Sequence, residues 1–215
     1  TCTEDGYTGD TYCLDCGQLL AKGELIPAHC ASSSFSDVDV SKWYHNCIDY
    51  VVDHGLMVGI GDGRFAPNTS MTRGQLVTVL YRMAGEPEVE MAAPFTDVTE
   101  TSYCAKAVAW AYENGVVKGM SATSFAPLQE ITREQLAVML LRYADLCGYD
   151  TSARASLKDF ADAAKVSDYA ADAMQWAVAN GVINGTSATT LEPAGTATRA
   201  QAATVLVRFQ NSMKS

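Results

Sequence analysis

Residues 72–83 read Thr72-Arg73-Gly74-Gln75-Leu76-Val77-Thr78-Val79-Leu80-Tyr81-Arg82-Met83. Thr with Gln three residues on is a capping box, in which each side chain satisfies a backbone N–H that a first helical turn leaves unpaired. Behind it Leu76, Val79, Leu80 and Met83 fall at i, i+3, i+4 and i+7, which puts them on one stripe about 100° wide along a helix. The pattern returns twice. Thr132-Arg133-Glu134-Gln135 leads Leu136, Met139, Leu140 and Tyr143; Thr198-Arg199-Ala200-Gln201 leads Ala202, Val205, Leu206 and Phe209.

Working outward, each copy belongs to a longer unit. The units open at Phe35-Ser36-Asp37-Val38, Phe95-Thr96-Asp97-Val98 and Phe160-Ala161-Asp162-Ala163, so the start recurs after 60 and then 65 residues. An aromatic-led helix follows: Trp43-Tyr44 through His54, Tyr103 through Asn114 and Tyr169 through Asn180. Gly55, Gly115 and Gly181 stop these helices, glycine being the cheapest residue in a left-handed cap. A second glycine comes four residues later, at Gly59, Gly119 and Gly185, and an extended piece then ends in Pro67, Pro127 or Pro193. One helical hairpin has too little core to stand alone, so the three copies are expected to bury their stripes against each other. The expected fold is mainly α: three helix-loop-helix units over 35–85, 95–147 and 157–213 in a pseudo-threefold body. A short Cys- and Gly-rich segment, 1–34, precedes them as a small β-turn module or ordered tail, and Glu86–Pro94 and Gly148–Ser156 read as linkers.

The 215 residues include 25 acidic and 15 basic side chains, a net charge of -10. That balance argues against nucleic acid or anionic lipid as main partner, since such footprints are broadly basic. No apolar run approaches the roughly 20 residues of a membrane helix. Without an initiator Met or a signal peptide, the chain reads as a mature form or an excised piece.

Of seven cysteines, Cys2, Cys13, Cys16 and Cys30 crowd the start, while Cys47, Cys104 and Cys147 are scattered and read as small core residues. An odd count forbids complete internal pairing. Cys13-x2-Cys16-Gly17 can turn both sulfurs toward one ion, so a structural zinc held by Cys2, Cys13, Cys16 and His29 is one reading; disulfides and free thiols are the others.

The capping box accounts for Thr72, Thr132, Thr198 and their Gln partners, but not for the arginines. A cation at the first helical position opposes the helix dipole by a few tenths of a kcal/mol, roughly, yet Arg73, Arg133 and Arg199 all stand there. Two readings stay open. Each Arg pairs with the Asp of an adjacent unit (Asp37, Asp97, Asp162), or guanidinium and free helix-start amides together make a site for a carboxylate or phosphate. Arg82, Arg142 and Arg208, nine residues on, read as surface or ion-pair residues. Trp43, Tyr103 and Tyr169 stack on a sugar face or staple the helix start; Tyr50, Trp110 and Trp176, two turns later, read as core. Gly61-Asp62-Gly63, found only in unit one, offers too few oxygens for calcium and reads as a turn.

In combination, Phe-x-Asp-Val, the aromatic-led helix, Asn-Gly-Val, Phe-x-Pro and Ile-Thr-Arg-Glu-Gln closely resemble the S-layer homology (SLH) domain, over roughly residues 35–211. The resemblance implies a three-pronged pseudo-trimer whose grooves bind secondary cell-wall polymer non-covalently, often through pyruvylated N-acetylmannosamine. It assigns the acidic sugar to Arg73, Arg133 and Arg199 and carries the family's Asp to Asp37, Asp97 and Asp162. It also implies a cell-wall or S-layer location in a Gram-positive bacterium and fusion to a larger surface protein. Gln75, Gln135 and Gln201 depart from the family's acidic residue while keeping the cap, and Glu134 is expected to weaken anion binding at the second site. Shorter loops in units two and three, with Ala163 after Asp162, suggest unequal grooves, that of Arg73 first.

The leading function is therefore a non-catalytic wall anchor with no required cofactor. The alternative is a protein-interaction or self-assembly module that binds no glycan. An enzyme is the weakest reading: His29, His45 and His54 do not recur between units, His45 and Asp49 read as a surface pair one turn apart, and no nucleophile or phosphate-loop motif appears.

Overall fold

The computed structural model describes residues 4–26, 28–90 and 93–213. Among these residues four short strands, β1 (Gly6–Tyr7), β2 (Thr11–Tyr12), β3 (Leu19–Ala21) and β4 (Leu25–Ile26), form two antiparallel ladders, β1 with β4 and β2 with β3. Their apolar side chains are largely exposed, Leu19, Leu20, Leu25 and Ile26 among them, so this module buries little of its own. A 3-10 turn, Ala31–Ser34, then packs onto the first helix.

Among the described residues six α-helices follow: α1 (His45–Asp53), α2 (Arg73–Met83), α3 (Ala105–Glu113), α4 (Arg133–Leu146), α5 (Ala171–Ala179) and α6 (Arg199–Ser212). The second helix of each unit starts at its Arg behind a complete Thr/Gln capping box. The first helices begin two residues later than their leading aromatic. The stripes are buried as their spacing requires: Leu76, Leu80, Leu136, Leu140, Ala202 and Leu206 are at most 1% exposed.

The helices do not pair within their units. α2 packs on α3, α4 on α5 and α6 on α1, so each lobe joins the second helix of one unit to the first helix of the next. The last unit closes onto the first, where the Tyr50 hydroxyl donates to Gln210 Oε1 at 2.6 Å. At the centre three backbone bonds form a closed cycle. Met71 N–H donates to Ala197 C=O (2.8 Å), Ala197 N–H to Ile131 C=O (3.1 Å) and Ile131 N–H to Met71 C=O (2.8 Å). Further along the helices the rings of Tyr81, Trp110, Tyr143, Phe209 and Trp176 make a continuous aromatic chain, with neighbouring centroids 5.6–6.2 Å apart. Trp110 and Trp176 are core residues, and Tyr50 is half-buried.

Candidate functional site

Each unit's Asp is a clamp on its own backbone. Asp37 accepts N–H bonds from Phe65 and Ala66, Asp97 from Phe125 and Ala126, and Asp162 from Leu191 and Glu192, all at 2.8–2.9 Å. Ala66, Ala126 and Glu192 have φ of 58°, 57° and 50°, a region that costs a non-glycine residue about 1 kcal/mol or more. The paired bonds hold that turn. They also hold Asp162 below the usual carboxylate range, the N–H of Leu191 being the main cause.

On the far side of the same peptide lies the Arg of the preceding unit. Arg73 Nε donates to Phe125 C=O (2.9 Å), Arg133 Nε to Leu191 C=O (2.7 Å) and Arg199 Nε to Phe65 C=O (2.7 Å). The guanidiniums of Arg73 and Arg199 also sit over the Phe125 and Phe65 rings, 4.7 and 4.5 Å from their centroids. Burial pushes all three arginines below their ordinary pKa, and the neighbouring unit's Asp97, Asp162 or Asp37 offsets part of that. Arg and Asp are therefore linked through a shared turn. Among the described residues they form no direct ion pair, and the three Asp side chains line none of the grooves below.

The helix starts are not free anion sites. The first two amides of α2 donate to Gln129 and Pro127 C=O, those of α4 to Gly195 and Pro193, and those of α6 to Thr69 and Pro67, at 2.9–3.0 Å. The third amide goes to the capping Thr. The three arginines are themselves buried, 3–7% exposed, and border the grooves from within.

Three equivalent grooves result, each built by all three units. One, about 320 Å³, gathers Arg199, Tyr103, Gln75 and Arg82 beside Val58 and Gly59. A second, about 300 Å³, gathers Arg73, Tyr169, Gln135 and Arg142 beside Lys118 and Gly119. The third, about 210 Å³, gathers Arg133, Trp43, Gln201 and Arg208 beside Asn184 and Gly185. Trp43, Tyr103 and Tyr169 are 65%, 60% and 58% exposed, so each groove has an open aromatic face beside its cations.

Arg82, Arg142 and Arg208 are thus groove residues, which the sequence reading missed. Nine residues turn a helix through two and a half turns, so the two arginines of one helix serve different grooves. Among the described residues only Arg82 of these three is also an ion-pair residue, 3.7 Å from Glu86 and bonded to Leu56 C=O. In the third groove Arg208 depresses the pKa of Arg133 further, a like-charge repulsion that an anion would relieve. The loops of units two and three are not shorter: Gly59 to Phe65, Gly119 to Phe125 and Gly185 to Leu191 are equal in length.

The grooves differ in charge. Arg199 and Arg133 each place Nη2 on a carbonyl, of Val58 and Asn184, at 2.6 Å. Arg73 Nη2 is buried with no hydrogen-bond partner among the described residues, and its groove adds Lys118. Glu134 does not line the Arg133 groove. It is 6% exposed, and its carboxylate accepts bonds from the Ser167 N–H (3.0 Å), the Ser167 hydroxyl (2.8 Å) and the Tyr169 hydroxyl (2.8 Å). Burial and that last bond push the Tyr169 phenol up to about 12. Its contribution to stability is thus complete below tyrosine's ordinary pKa and lost only as pH rises through about 12. Glu134→Ala is expected to cost about 2 kcal/mol in chemical denaturation and to release the Tyr169 ring; an unchanged midpoint would contradict that role.

In the lead segment, Cys2 lies outside the described residues. Cys13 and Cys16 are neighbours at a turn closed by Gly17 N–H to Cys13 C=O, and the backbone N–H of Cys16 holds the Cys13 thiol below its ordinary pKa. The structure does not bring His29 to them; its Nε2 lies 3.0 Å from Asp53 Oδ1. Cys104 is buried and Cys47 half-buried, but Cys147 is exposed, against the expectation that it packs as a core residue.

The sequence profile of the S-layer homology domain matches residues 34–77, 94–137 and 159–203. The chain is 32% identical over 192 residues to the Surface-layer 125 kDa protein of Lysinibacillus sphaericus, an alignment covering 88% of this chain and 16% of that protein. It is 31% identical over 172 residues to an Endoglucanase of Bacillus sp. (strain KSM-635), covering 80% and 18%. Against S-layer protein EA1 of Bacillus anthracis it is 30% identical over 122 residues, covering 57% and 14%. The chain thus spans less than a fifth of the length of each of these relatives. Among the described residues no helix is long and apolar enough to cross a membrane.

Proposed function

The chain belongs to the S-layer homology domain family, whose members anchor proteins at the cell surface, and from that premise we propose that it holds a larger surface protein to the wall by binding an acidic secondary cell-wall polysaccharide in its grooves. The observation that carries this reading is the recurrence, three times in a chain of net charge -10, of two arginines and an open aromatic ring around one groove. A guanidinium fork matches a carboxylate, and an aromatic face matches the apolar face of a sugar ring. A pyruvyl ketal supplies both on one residue, a carboxylate fixed rigidly to a pyranose. The Arg73 groove takes it first, because its Nη2 has no acceptor among the described residues and Lys118 adds a third cation.

The acidic body gives selectivity. Bulk polyanions are repelled by the net charge, whereas one carboxylate set into a groove meets concentrated positive charge. Co-sedimentation with purified cell-wall sacculi tests the reading. Intact sacculi are expected to pull the chain down, and sacculi freed of pyruvyl groups by mild acid to bind at least about tenfold less, a loss of about 1.4 kcal/mol. Equal binding to depyruvylated walls would remove the pyruvyl assignment, and equal binding to walls stripped of all secondary polymer would remove the glycan reading.

A further inference from the structure

One polar cluster lies outside the grooves, where the lead segment docks on α1. Cys30, immediately before the 3-10 turn, places Sγ 3.3 Å from His45 Nε2. Asp49 stands one helical turn beyond His45, and the ligand-type atoms of Cys30, His45 and Asp49 all lie within 4.8 Å of one another. Among the described residues this is the only such grouping of His, Cys, Asp and Glu. His45 is 4% exposed.

The other units show what this helix face holds when it has no polar task. Ala105 and Ala109 stand at the positions of His45 and Asp49 in unit two, and Ala171 and Gln175 in unit three. In unit two Val89 and Ala93 of the preceding segment line one mainly apolar cleft together with Ala105 and Ala109. Unit one replaces that apolar seam with a thiol, an imidazole and a carboxylate, the borderline-soft donor set that suits zinc.

We propose that Cys30, His45 and Asp49 bind a zinc ion that fastens the lead segment to α1. With Zn–S near 2.3 Å and Zn–N near 2.0–2.1 Å, neighbouring ligand atoms of a tetrahedral site stand about 3.5 Å apart; Cys30 and His45 already have that spacing, and Asp49 has to close in from at most 4.8 Å. The charges also close. Binding releases the Cys30 thiol proton to solvent, and the thiolate and carboxylate together neutralise the dication, as a half-buried site requires. The Ser32 N–H already donates to Asp49 Oδ1 at 2.9 Å, the outer-shell bond that orients a carboxylate ligand. Water takes the fourth position.

The test is a zinc titration of the whole chain, stripped with a chelator and competed against a chromophoric indicator, with folding followed by circular dichroism. One zinc per chain is expected. Cys30→Ser and His45→Gln are each expected to weaken it by about 100-fold or more, beyond the 10–100-fold typical of losing an outer-shell partner. A Cys13→Ser/Cys16→Ser variant is expected to bind as the unaltered chain does. No zinc in the unaltered chain, or zinc lost in the Cys13/Cys16 variant and kept in Cys30→Ser, overturns the proposal. Should His45→Gln fail to fold, cobalt in the unaltered chain decides. A thiolate-to-cobalt charge-transfer band with an intense tetrahedral visible spectrum is expected, and a weak octahedral spectrum overturns it.

Discussion

Replacing Arg73 by alanine is expected to weaken binding to the acidic wall polymer by about 100-fold and to lower the melting temperature as well. The affinity loss corresponds to about 3 kcal/mol, within the range for truncating one partner of a desolvated, hydrogen-bonded charge pair. The stability loss has a separate source. Arg73 Nε is the charged donor to Phe125 C=O, and its guanidinium covers the Phe125 ring; losing a charge-assisted bond to a buried carbonyl costs about 1–3 kcal/mol. At roughly 2–4 °C per kcal/mol for a chain of this size, the melting temperature should fall by several degrees. Arg142→Ala separates the two effects. Arg142 lines the same groove but makes no hydrogen bond or ion pair described in the structure, so it should lose about tenfold in affinity with little change in melting. Isothermal titration beside thermal unfolding reads both. Unchanged affinity in a folded Arg73→Ala variant would exclude this groove as the principal site.

Gly119→Ala is the second large effect, and it comes from crowding rather than from a backbone angle. A Cβ there would lie 2.3 Å from Ser121 O, 2.4 Å from Phe95 Cε1 and 2.6 Å from Ser124 O. Two of these are backbone carbonyls, and the Phe95 ring is itself packed against Phe125 and Tyr112, so nothing can swing away. Displacing the loop is expected to cost about 3 kcal/mol, the upper part of the usual overpacking range, or roughly 6–12 °C in melting temperature. Because Lys118 and Met120 border the same groove, binding should fall too. Gly115→Ala makes the contrast. Its φ is 70° with open space around the missing Cβ, so only strain of about 1 kcal/mol is expected. Melting of Gly119→Ala within two degrees of the parent chain, roughly one kcal/mol or less, would show that the close approach is dispensable.

These two residues mark how far the sequence could be read. The capping boxes, apolar stripes and glycine stops depend on residues three or four apart, and the structure contains them where the spacing puts them. The destination of each Arg depends on which helix packs against which, and no local pattern records that α2 pairs with α3 instead of α1. Hence Arg82, Arg142 and Arg208 looked like ordinary surface residues: judged on one helix they face away from the first arginine, and only the neighbouring unit makes them groove partners. The role of Asp97 was hidden for a similar reason, since its amide donors stand 28 and 29 residues downstream. Gly119 gave a partial signal. Its recurrence at Gly59 and Gly185 showed that something demanded a missing side chain, and the carbonyls that demand it come from the loop that follows. His45 read as half of a surface pair, yet it is 4% exposed; its failure to repeat counted only against an enzyme, although a polar residue that fails to repeat in a repeating chain also points to a task of that one unit.

The closed cycle of backbone bonds through Met71, Ala197 and Ile131 limits how this molecule can be altered. An open stack of repeats has ends, so copies can be added or dropped and affinity graded by their number. Here the third copy already meets the first and leaves no free edge for a fourth. Every groove also borrows from all three copies, so deleting any one dismantles every groove instead of subtracting one. Weaker or stronger attachment must then arise by changing side chains within a fixed frame of three, and individual grooves can be silenced but not removed.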